Sequence, residues 1–139
     1  MRQLLFALTL AFMATPAVSG DLVPRDESYT IARRYEGYKA TWPDMTWPAV
    51  EFQAGQKVLF DRLYKSAGAH ELHADVFLPA LERANGRGIV LVHGGGWRSG
   101  NKSHFYVLAN RLAQRGYTVI LPEFRLSPEA AYPAGLTDV

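Results

Sequence analysis

Two neighbouring segments in the middle of the chain have the composition and spacing of β-strands. Residues 57–64 (KVLFDRLY) and 71–78 (ELHADVFL) are separated by residues 65–70 (KSAGAH), which have turn-forming composition. In residues 71–78, one set of alternating positions is apolar, which predicts that this set faces the core. The set is Leu72, Ala74, Val76 and Leu78, and it alternates with His73, Asp75 and Phe77. The spacing of the two segments predicts an antiparallel hairpin.

From residue 88 onward the pattern changes. Residues 88–92 (GIVLV) form a continuous apolar run, typical of a strand buried on both faces of a parallel sheet. Residues 102–115 predict a helix with Ser103 as its N-cap and Gly116 at its C-terminal end. Its apolar face would consist of Phe105, Leu108, Ala109, Leu112 and Ala113. Residues 117–121 (YTVIL) predict a second buried strand, so this part of the chain is one right-handed βαβ unit and the fold class is α/β.

The amino-terminal residues predict an export signal. Residues 1–20 combine a cationic start, an apolar stretch and a small-residue exit, which is the arrangement of a cleaved signal peptide. The apolar stretch is shorter than the roughly 20 residues of a spanning helix. We therefore expect a periplasmic or extracellular protein without a stable membrane anchor after cleavage; an uncleaved anchor is the alternative.

Residues 21–56 predict an irregular amino-terminal arm. The arm contains three prolines, and Trp42 and Trp47 each precede one of them, which favours extended backbone. The favoured interpretation is that both indole rings are buried against the domain, because buried aromatic side chains are common. The alternative is that they line a substrate cleft or bind a sugar.

Composition and charge exclude several classes of function. The 139 residues are 48% hydrophobic and 20% charged, with a formal net charge of +2 and no cysteine. Without cysteine there can be no disulfides and no thiolate metal site. The longest basic run is Arg33–Arg34, too short for the electrostatic footprint of a nucleic-acid-binding protein, so we expect no nucleic-acid partner.

The segment LVHGGGWRSG places three glycines directly after a predicted strand. A dinucleotide-binding loop is one interpretation, but Ser99 stands where the next glycine of that fingerprint is required. Glu123, which could bind the ribose, lies 27 residues beyond Gly96. The other interpretation is an oxyanion hole, because consecutive glycines let backbone N–H groups converge on one developing negative charge. A structural turn without any ligand is the third interpretation.

Two motifs carry a resemblance to a known family. HGGGW, His93–Trp97, and PEFRLSPEAAYPAGLTDV, Pro122–Val139, resemble the conserved blocks of hormone-sensitive-lipase-like carboxylesterases with the α/β-hydrolase fold. The segment HGGGWRSGNKS is most similar to the bacterial feruloyl-esterase-like and acetyl-esterase-like branch. The resemblance implies an incomplete α/β-hydrolase fold in residues 57–139, with no metal or organic cofactor.

The same resemblance implies roles for individual residues. Gly95 and Gly96 would donate their N–H groups to the oxyanion, and Gly94 would allow the close turn. His93 and Trp97 would brace the loop. Arg125 and Glu129 would pair with charged groups and stabilise the segment after the strand. The chain departs from the family pattern with Glu123 in place of Asp and Phe124 in place of Tyr.

No nucleophile motif is present in the sequence. The fold places its serine in G-x-S-x-G, which does not occur here; Ser99 is one position late and Ser127 has no flanking glycines. His104 is interpreted as a capping or surface residue rather than a general base. We therefore expect no nucleophile, catalytic acid or general base in this chain, and a domain truncated before the nucleophile turn. An isolated fragment should leave residues 117–121 without flanking strands and expose an aggregation-prone edge.

The sequence thus predicts part of a secreted serine hydrolase that acts on carboxylic esters. The favoured substrates are small-molecule or polysaccharide-linked acetyl or feruloyl esters. An amidase or aryl-formamidase on the same fold is one alternative, and a non-catalytic binding module is another. The residues beyond Val139 would discriminate between an enzyme and a binding module, because they would contain or lack the nucleophilic serine.

Overall fold

The computed structural model describes residues 26–139, so the predicted signal peptide lies outside the described residues. The strands are β1 (Lys57–Ala67), β2 (His70–Leu78), β3 (Gly88–Val90) and β4 (Thr118–Pro122). The α-helices are α1 (Ile31–Thr41), α2 (Tyr106–Gln114) and α3 (Ala134–Asp138), and two short 3-10 helices cover Leu81–Arg83 and Lys102–Phe105.

The four strands form one mixed sheet in the order β1-β2-β4-β3. Strands β1 and β2 are an antiparallel hairpin, and β2 pairs with β4 in antiparallel register. Strands β3 and β4 are parallel, with α2 between them in the chain. The predicted hairpin, the parallel βαβ unit and the α/β class are therefore confirmed.

The predicted core face of β2 is confirmed at Leu72 and Ala74, but the opposite face is not exposed as the alternation predicted. Phe77 and Asp75, which the alternation placed on the solvent side, are fully buried, and Leu72 and Ala74 on the other face are buried too. The reason is that the helical layer covers the Phe77 face: the ring centroid of Tyr106 lies 5.5 Å from that of Phe77. Both faces of β2 are covered, so a period-two pattern could not identify the side on which α2 packs.

Strand β3 is less buried than its apolar run predicts. Val90 and Val92 are exposed, because β3 is an edge of the sheet among the described strands. The expectation that residues 117–121 lack flanking strands is also wrong. The crossover through α2 returns β4 to the position between β2 and β3, where Val119 and Leu121 are fully buried. The open edge is real, but it belongs to β3.

The predicted helix over residues 102–115 is confirmed with a different start. It begins as a 3-10 turn, and its N-cap is Asn101 rather than Ser103, whose backbone N–H donates to the Asn101 side chain at 2.8 Å. Leu108 of the predicted apolar face is exposed. Ala109 and Ala113 pack in the central hydrophobic cluster with Phe77, Val119 and Leu121.

The amino-terminal arm is not irregular throughout, since residues 31–41 form α1. Thr30 caps the helix by accepting a hydrogen bond from the Arg33 N–H, and the helix ends at Thr41, with Trp42 as its C-cap directly before Pro43. No proline interrupts this span, so the prolines predicted the helix end correctly but not the helix. None of the helices in residues 26–139 has the length and apolar character required to cross a membrane.

The prediction that the two tryptophan rings are buried against the domain is also wrong. Trp42 is 56% exposed and Trp47 is 53% exposed. Each indole instead contacts a tyrosine of α1: Trp42 lies 5.6 Å from Tyr38, and Trp47 lies 4.8 Å from Tyr35, between ring centroids. The rings find aromatic neighbours within the arm because α1 contributes no buried residue to the domain.

Candidate active site

The HGGGW loop follows β3 and makes a tight turn at Gly95. Its φ is +134°, and a β-carbon at this position would lie 1.9 Å from the carbonyl oxygen of Ser99. The Gly95 carbonyl accepts the backbone N–H groups of Arg98 and Ser99, both at 3.2 Å. Only glycine fits here, because the chain folds back onto the position that any side chain would occupy.

The predicted role of Gly94 in the close turn is not supported. Its φ is not positive, and a β-carbon there would meet nothing within 4 Å. The second close approach is made by Gly100 instead, where a β-carbon would lie 2.3 Å from the Gly94 carbonyl oxygen. The turn is therefore closed by Gly95 and Gly100, and the sequence signal for Gly100 was the single glycine of the RSG segment.

The backbone N–H groups of the three central glycines make no hydrogen bond to any acceptor within residues 26–139. Gly94 and Gly96 are exposed and Gly95 is half-buried, so the loop is not part of the packed interior. Buried amides are nearly always paired, whereas amides left unpaired beside a sterically fixed turn are available to a ligand. The assignment of Gly95 and Gly96 as oxyanion donors stays a prediction, and this geometry is compatible with it.

Phe124 contacts the rings of both aromatic residues of the HGGGW loop. The His93 ring stacks on Phe124 with centroids 4.5 Å apart, and the Trp97 ring meets it edge-on at 5.6 Å. The Trp97 carbonyl also accepts the Ser127 N–H at 2.7 Å. The bracing that the sequence predicts for His93 and Trp97 thus has a concrete contact, and Phe124 makes it through its ring, without the phenol of the usual tyrosine.

His93 is buried and held in one orientation. Its Nδ1 donates to the Gly94 carbonyl at 2.9 Å, because a carbonyl can only accept. Burial lowers the pKa of His93, and the Gly94 carbonyl and Glu123 oppose that shift only in part. The imidazole is therefore neutral near pH 7 and acts as a packing and hydrogen-bonding group of the loop.

The side chains of Ser99 and His104, the other candidate nucleophile and base, form hydrogen bonds within the protein. Ser99 is 2% exposed, and its hydroxyl lies within hydrogen-bond distance of the Gly95 carbonyl and the Ser28 hydroxyl. His104 Nδ1 accepts the Asn101 N–H at 3.2 Å and completes the capping box. The interpretation of His104 as a capping residue is confirmed, and Ser99 is not accessible to a substrate.

The segment after β4 is held by one buried carboxylate. Asp138 of α3 accepts the Nε and Nη2 groups of Arg125, both at 2.8 Å, and the Arg125 backbone N–H at 3.0 Å. Lys65 of β1 lies 3.2 Å from the same carboxylate. Hydrogen bonds from Arg125, more than offsetting desolvation, hold the pKa of Asp138 far below its usual value. Arg125 therefore has the predicted structural role.

Glu129 differs from its prediction. Its carboxylate accepts the backbone N–H of Leu126 at 2.9 Å rather than pairing with a charged side chain. A carboxylate placed at a turn in this way satisfies an otherwise unpaired donor. Its role is still structural, but it is a cap rather than an ion pair.

Lys102 is a buried residue that the sequence reasoning missed. Its ammonium lies 2.6 Å from Asp61, 2.9 Å from Glu123 and 3.1 Å from Asp75, while the side chain is 7% exposed. Burial lowers the pKa of Lys102, but the hydrogen bonds that its ammonium donates to the three carboxylates outweigh that effect and raise the pKa above its usual value. The lysine is therefore fully charged in the folded protein.

The cluster around Lys102 joins four parts of the fold. Asp75 lies on β2 and Glu123 follows β4, while Asp61 stands at an irregularity of β1 with a φ of +50°. Asp75 also accepts the Asp61 N–H at 2.9 Å and the Tyr106 hydroxyl of α2. No sequence signal pointed to this cluster, because the alternation of β2 had assigned Asp75 to the solvent side.

Two cavities are lined in part by residues of the HGGGW loop or its neighbours. One, of about 290 Å³, is lined by His93, Lys102, Glu123 and Phe124 together with polar residues of the arm. The other, of about 250 Å³, is largely apolar and is lined by Trp97, Arg125, Tyr132 and Leu136 among others. No group of three or more His, Asp or Glu side chains within residues 26–139 is arranged to hold a metal ion.

Comparison with known proteins agrees with this geometry. Residues 74–139 match the model of the BD-FAE family. The chain is also similar to solved structures of esterase 2 from Thermogutta terrifontis. The form phosphonylated by cyclosarin has a TM-score of 0.51 at 24% identity, covering 61% of this chain and 33% of that one. The apo form has a TM-score of 0.51 at 23% identity, covering 68% and 35%.

The native form of the same esterase has a TM-score of 0.50 at 24% identity, covering 61% of this chain and 31% of that one. The chain thus spans about a third of the length of the structures that it matches. No curated protein matches the sequence. Residues 74–139 are therefore similar to the BD-FAE family, and the chain has the fold of these structures over the part that they cover.

Proposed function

We propose that this chain supplies the oxyanion-binding half of a secreted serine hydrolase that acts on carboxylic esters. The single observation that carries the proposal is the glycine loop. Steric contact fixes its turn at Gly95, two aromatic contacts hold its ends, and its amides have no acceptor within residues 26–139. Preorganised donors of this kind are worth several kcal/mol when negative charge develops on a carbonyl oxygen.

In this mechanism Gly95 and Gly96 bind the carbonyl oxygen of the ester and hold it as the tetrahedral intermediate forms. His93 and Trp97 act as positioning residues through Phe124, because they keep the loop from relaxing. The serine that attacks and the histidine that moves its proton are supplied by residues outside this chain, because it contains no G-x-S-x-G motif. The substrates would be small-molecule or polysaccharide-linked esters; the BD-FAE match and the esterase neighbours support the ester class.

The test is an assay of the gene product with a small chromogenic acetate ester, alongside the present chain expressed from residue 21. We expect turnover by a product that continues into a G-x-S-x-G motif, and none by the chain alone above a heat-treated control. A continuation that carries glycine or alanine in place of the serine would contradict the enzyme and favour a binding module. Faster turnover of the matched anilide than of the ester would favour an amidase.

A further inference from the structure

Helix α1 has one face that packs within the arm. Tyr35 meets Trp47 edge-on with ring centroids 4.8 Å apart. Lys39, one helical turn further on, donates its ammonium to the backbone carbonyls of Pro43 and Met45. These contacts fold residues 42–47 back along the helix, and its opposite face is exposed.

That opposite face is a shallow groove of about 320 Å³. Its lining residues recur at helical spacing, so that they lie on one side of α1: Arg33, Arg34, Gly37, Tyr38, Thr41 and Trp42. The volume lies near the lower end of the range of small-ligand sites, which is about 300–1,000 Å³. The floor lacks a side chain at Gly37, and the aromatic rings of Tyr38 and Trp42 form one wall.

The charge in the groove is of one sign. Both of its ionised side chains are guanidinium groups, and the carboxylate of α1, Glu36, does not line it. Arg34 is held with its guanidinium carbon 4.6 Å from the centre of the Tyr29 ring. Arg33 and Arg34 are both exposed. They are therefore available to a ligand.

We infer that this groove binds a carbohydrate that carries carboxylate groups, such as a chain containing uronic acid residues. The Trp42 indole is 56% exposed and the Tyr38 phenol is 45% exposed, and both rings offer flat apolar faces to the C–H faces of a sugar ring. A guanidinium matches a carboxylate with two parallel hydrogen bonds, which a lysine could not provide. The Thr41 hydroxyl can form a hydrogen bond with a hydroxyl group of the sugar.

Other ligand classes fit the same surface less well. A lipid surface requires a helix with a strong apolar face, and α1 has none. Nucleic acid requires a larger basic patch than two arginines. An extended peptide would need a strand edge or backbone groups to pair with, and those of α1 are used inside the helix.

The inference does not depend on ester hydrolysis. The test is calorimetric titration of the full chain with oligogalacturonate, and in parallel with a neutral galactose oligomer of the same length. We expect binding of the acidic oligomer only. Replacing both arginines (Arg33→Gln and Arg34→Gln) or making Trp42→Ala should each weaken that binding about tenfold or more.

Trp47→Ala is the matched control, because Trp47 is equally exposed but lies on the other side of α1. It should change the affinity by less than about twofold. Absence of binding, equal binding of the neutral oligomer, or an equal loss in Trp47→Ala would overturn the proposal. Binding of phosphatidylglycerol vesicles or polyglutamate in preference to the oligomer would overturn it too, as would self-association of the chain through this face.

Discussion

Two neighbouring regions of the same segment handle polar groups in opposite ways. The Lys102 cluster buries one ammonium and pairs it with three carboxylates. The loop at Gly94–Gly96, a few residues earlier, leaves its amides without an acceptor in the described part of the chain. The first arrangement satisfies charge inside the protein, whereas the second leaves hydrogen-bonding capacity for something outside it.

The difference indicates that the two regions have different roles. Lys102 follows Gly100 by two residues, so the lysine cluster fixes the end of the loop on β1, β2 and β4. The loop can then keep its amides unpaired without collapsing, because its far end, Phe124 and the turn at Gly95 are all fixed. Stability is concentrated in the cluster, and the proposed chemistry in the loop.

The largest expected effect on stability is that of Lys102→Met. Removing the ammonium leaves Asp75 buried and like-charged with two neighbouring carboxylates, which we expect to cost about 3–5 kcal/mol of unfolding free energy. Lys57→Met is the matched control, because Lys57 is an exposed lysine of β1. It should cost less than about 0.5 kcal/mol. Urea denaturation of both variants measures the difference in unfolding free energy. Equal stabilities would contradict a stabilising role for the Lys102 cluster.

A smaller effect is expected for Asp138→Asn. The amide keeps the shape of the side chain but loses the charge that holds Arg125 and Lys65, which we expect to cost about 1.5–3 kcal/mol. The exposed carboxylate of Glu82 provides the comparison, through Glu82→Gln. Thermal unfolding should separate the two variants clearly. A stability of Asp138→Asn equal to that of Glu82→Gln would exclude a structural role for the Arg125 pair.

The smallest expected effect is a dependence of stability on pH that arises from the loop histidines. Burial lowers the pKa of His93 and of His104, so the unfolded chain binds more protons than the folded one below about pH 6.5. Stability is therefore complete above that pH and falls as the pH drops below it. Asp138, whose pKa is lowered, adds a separate loss below about pH 4.

The double variant His93→Gln with His104→Gln should flatten the change that begins below about pH 6.5 and leave the loss below about pH 4. His70→Gln, at an exposed position, is the control and should leave the whole profile unchanged. Urea midpoints measured across this range test the prediction. A profile of the double variant that matches the unaltered protein would contradict the assignment to these two histidines.

The sequence predicted the elements of the βαβ unit because their signals are local. Continuous apolar runs, helical spacing in residues 102–115 and a glycine at the helix end each depend on a few neighbouring residues. The order of the strands depends on residues that are distant in the sequence. The expectation that residues 117–121 lack neighbouring strands was wrong for that reason. Which face of β2 the helix covers is also a tertiary property, set where Tyr106 meets Phe77.

The candidate site was predicted to a similar extent. The glycine motif predicted the turn and its aromatic bracing, but Phe124 became the contact for both rings only through the fold. Lys102, Asp61, Asp75 and Glu123 are distant in sequence, so no local spacing could have predicted that they meet. In the arm, the prolines led to a prediction of irregular structure, although α1 lies between them. The exposure of Trp42 and Trp47 could not be predicted from residue type.

The central claim is that amides near Gly95 hold a developing oxyanion, and a pair of alanine variants in the gene product tests it most directly. Gly95→Ala puts a methyl group against the Ser99 carbonyl, whereas Gly94→Ala puts one into open space. On a chromogenic acetate ester, we predict that Gly95→Ala lowers kcat about 10²–10³-fold with little change in KM. Gly94→Ala should stay within about twofold. Equal kinetics for the two variants, or a change confined to KM, would contradict the account.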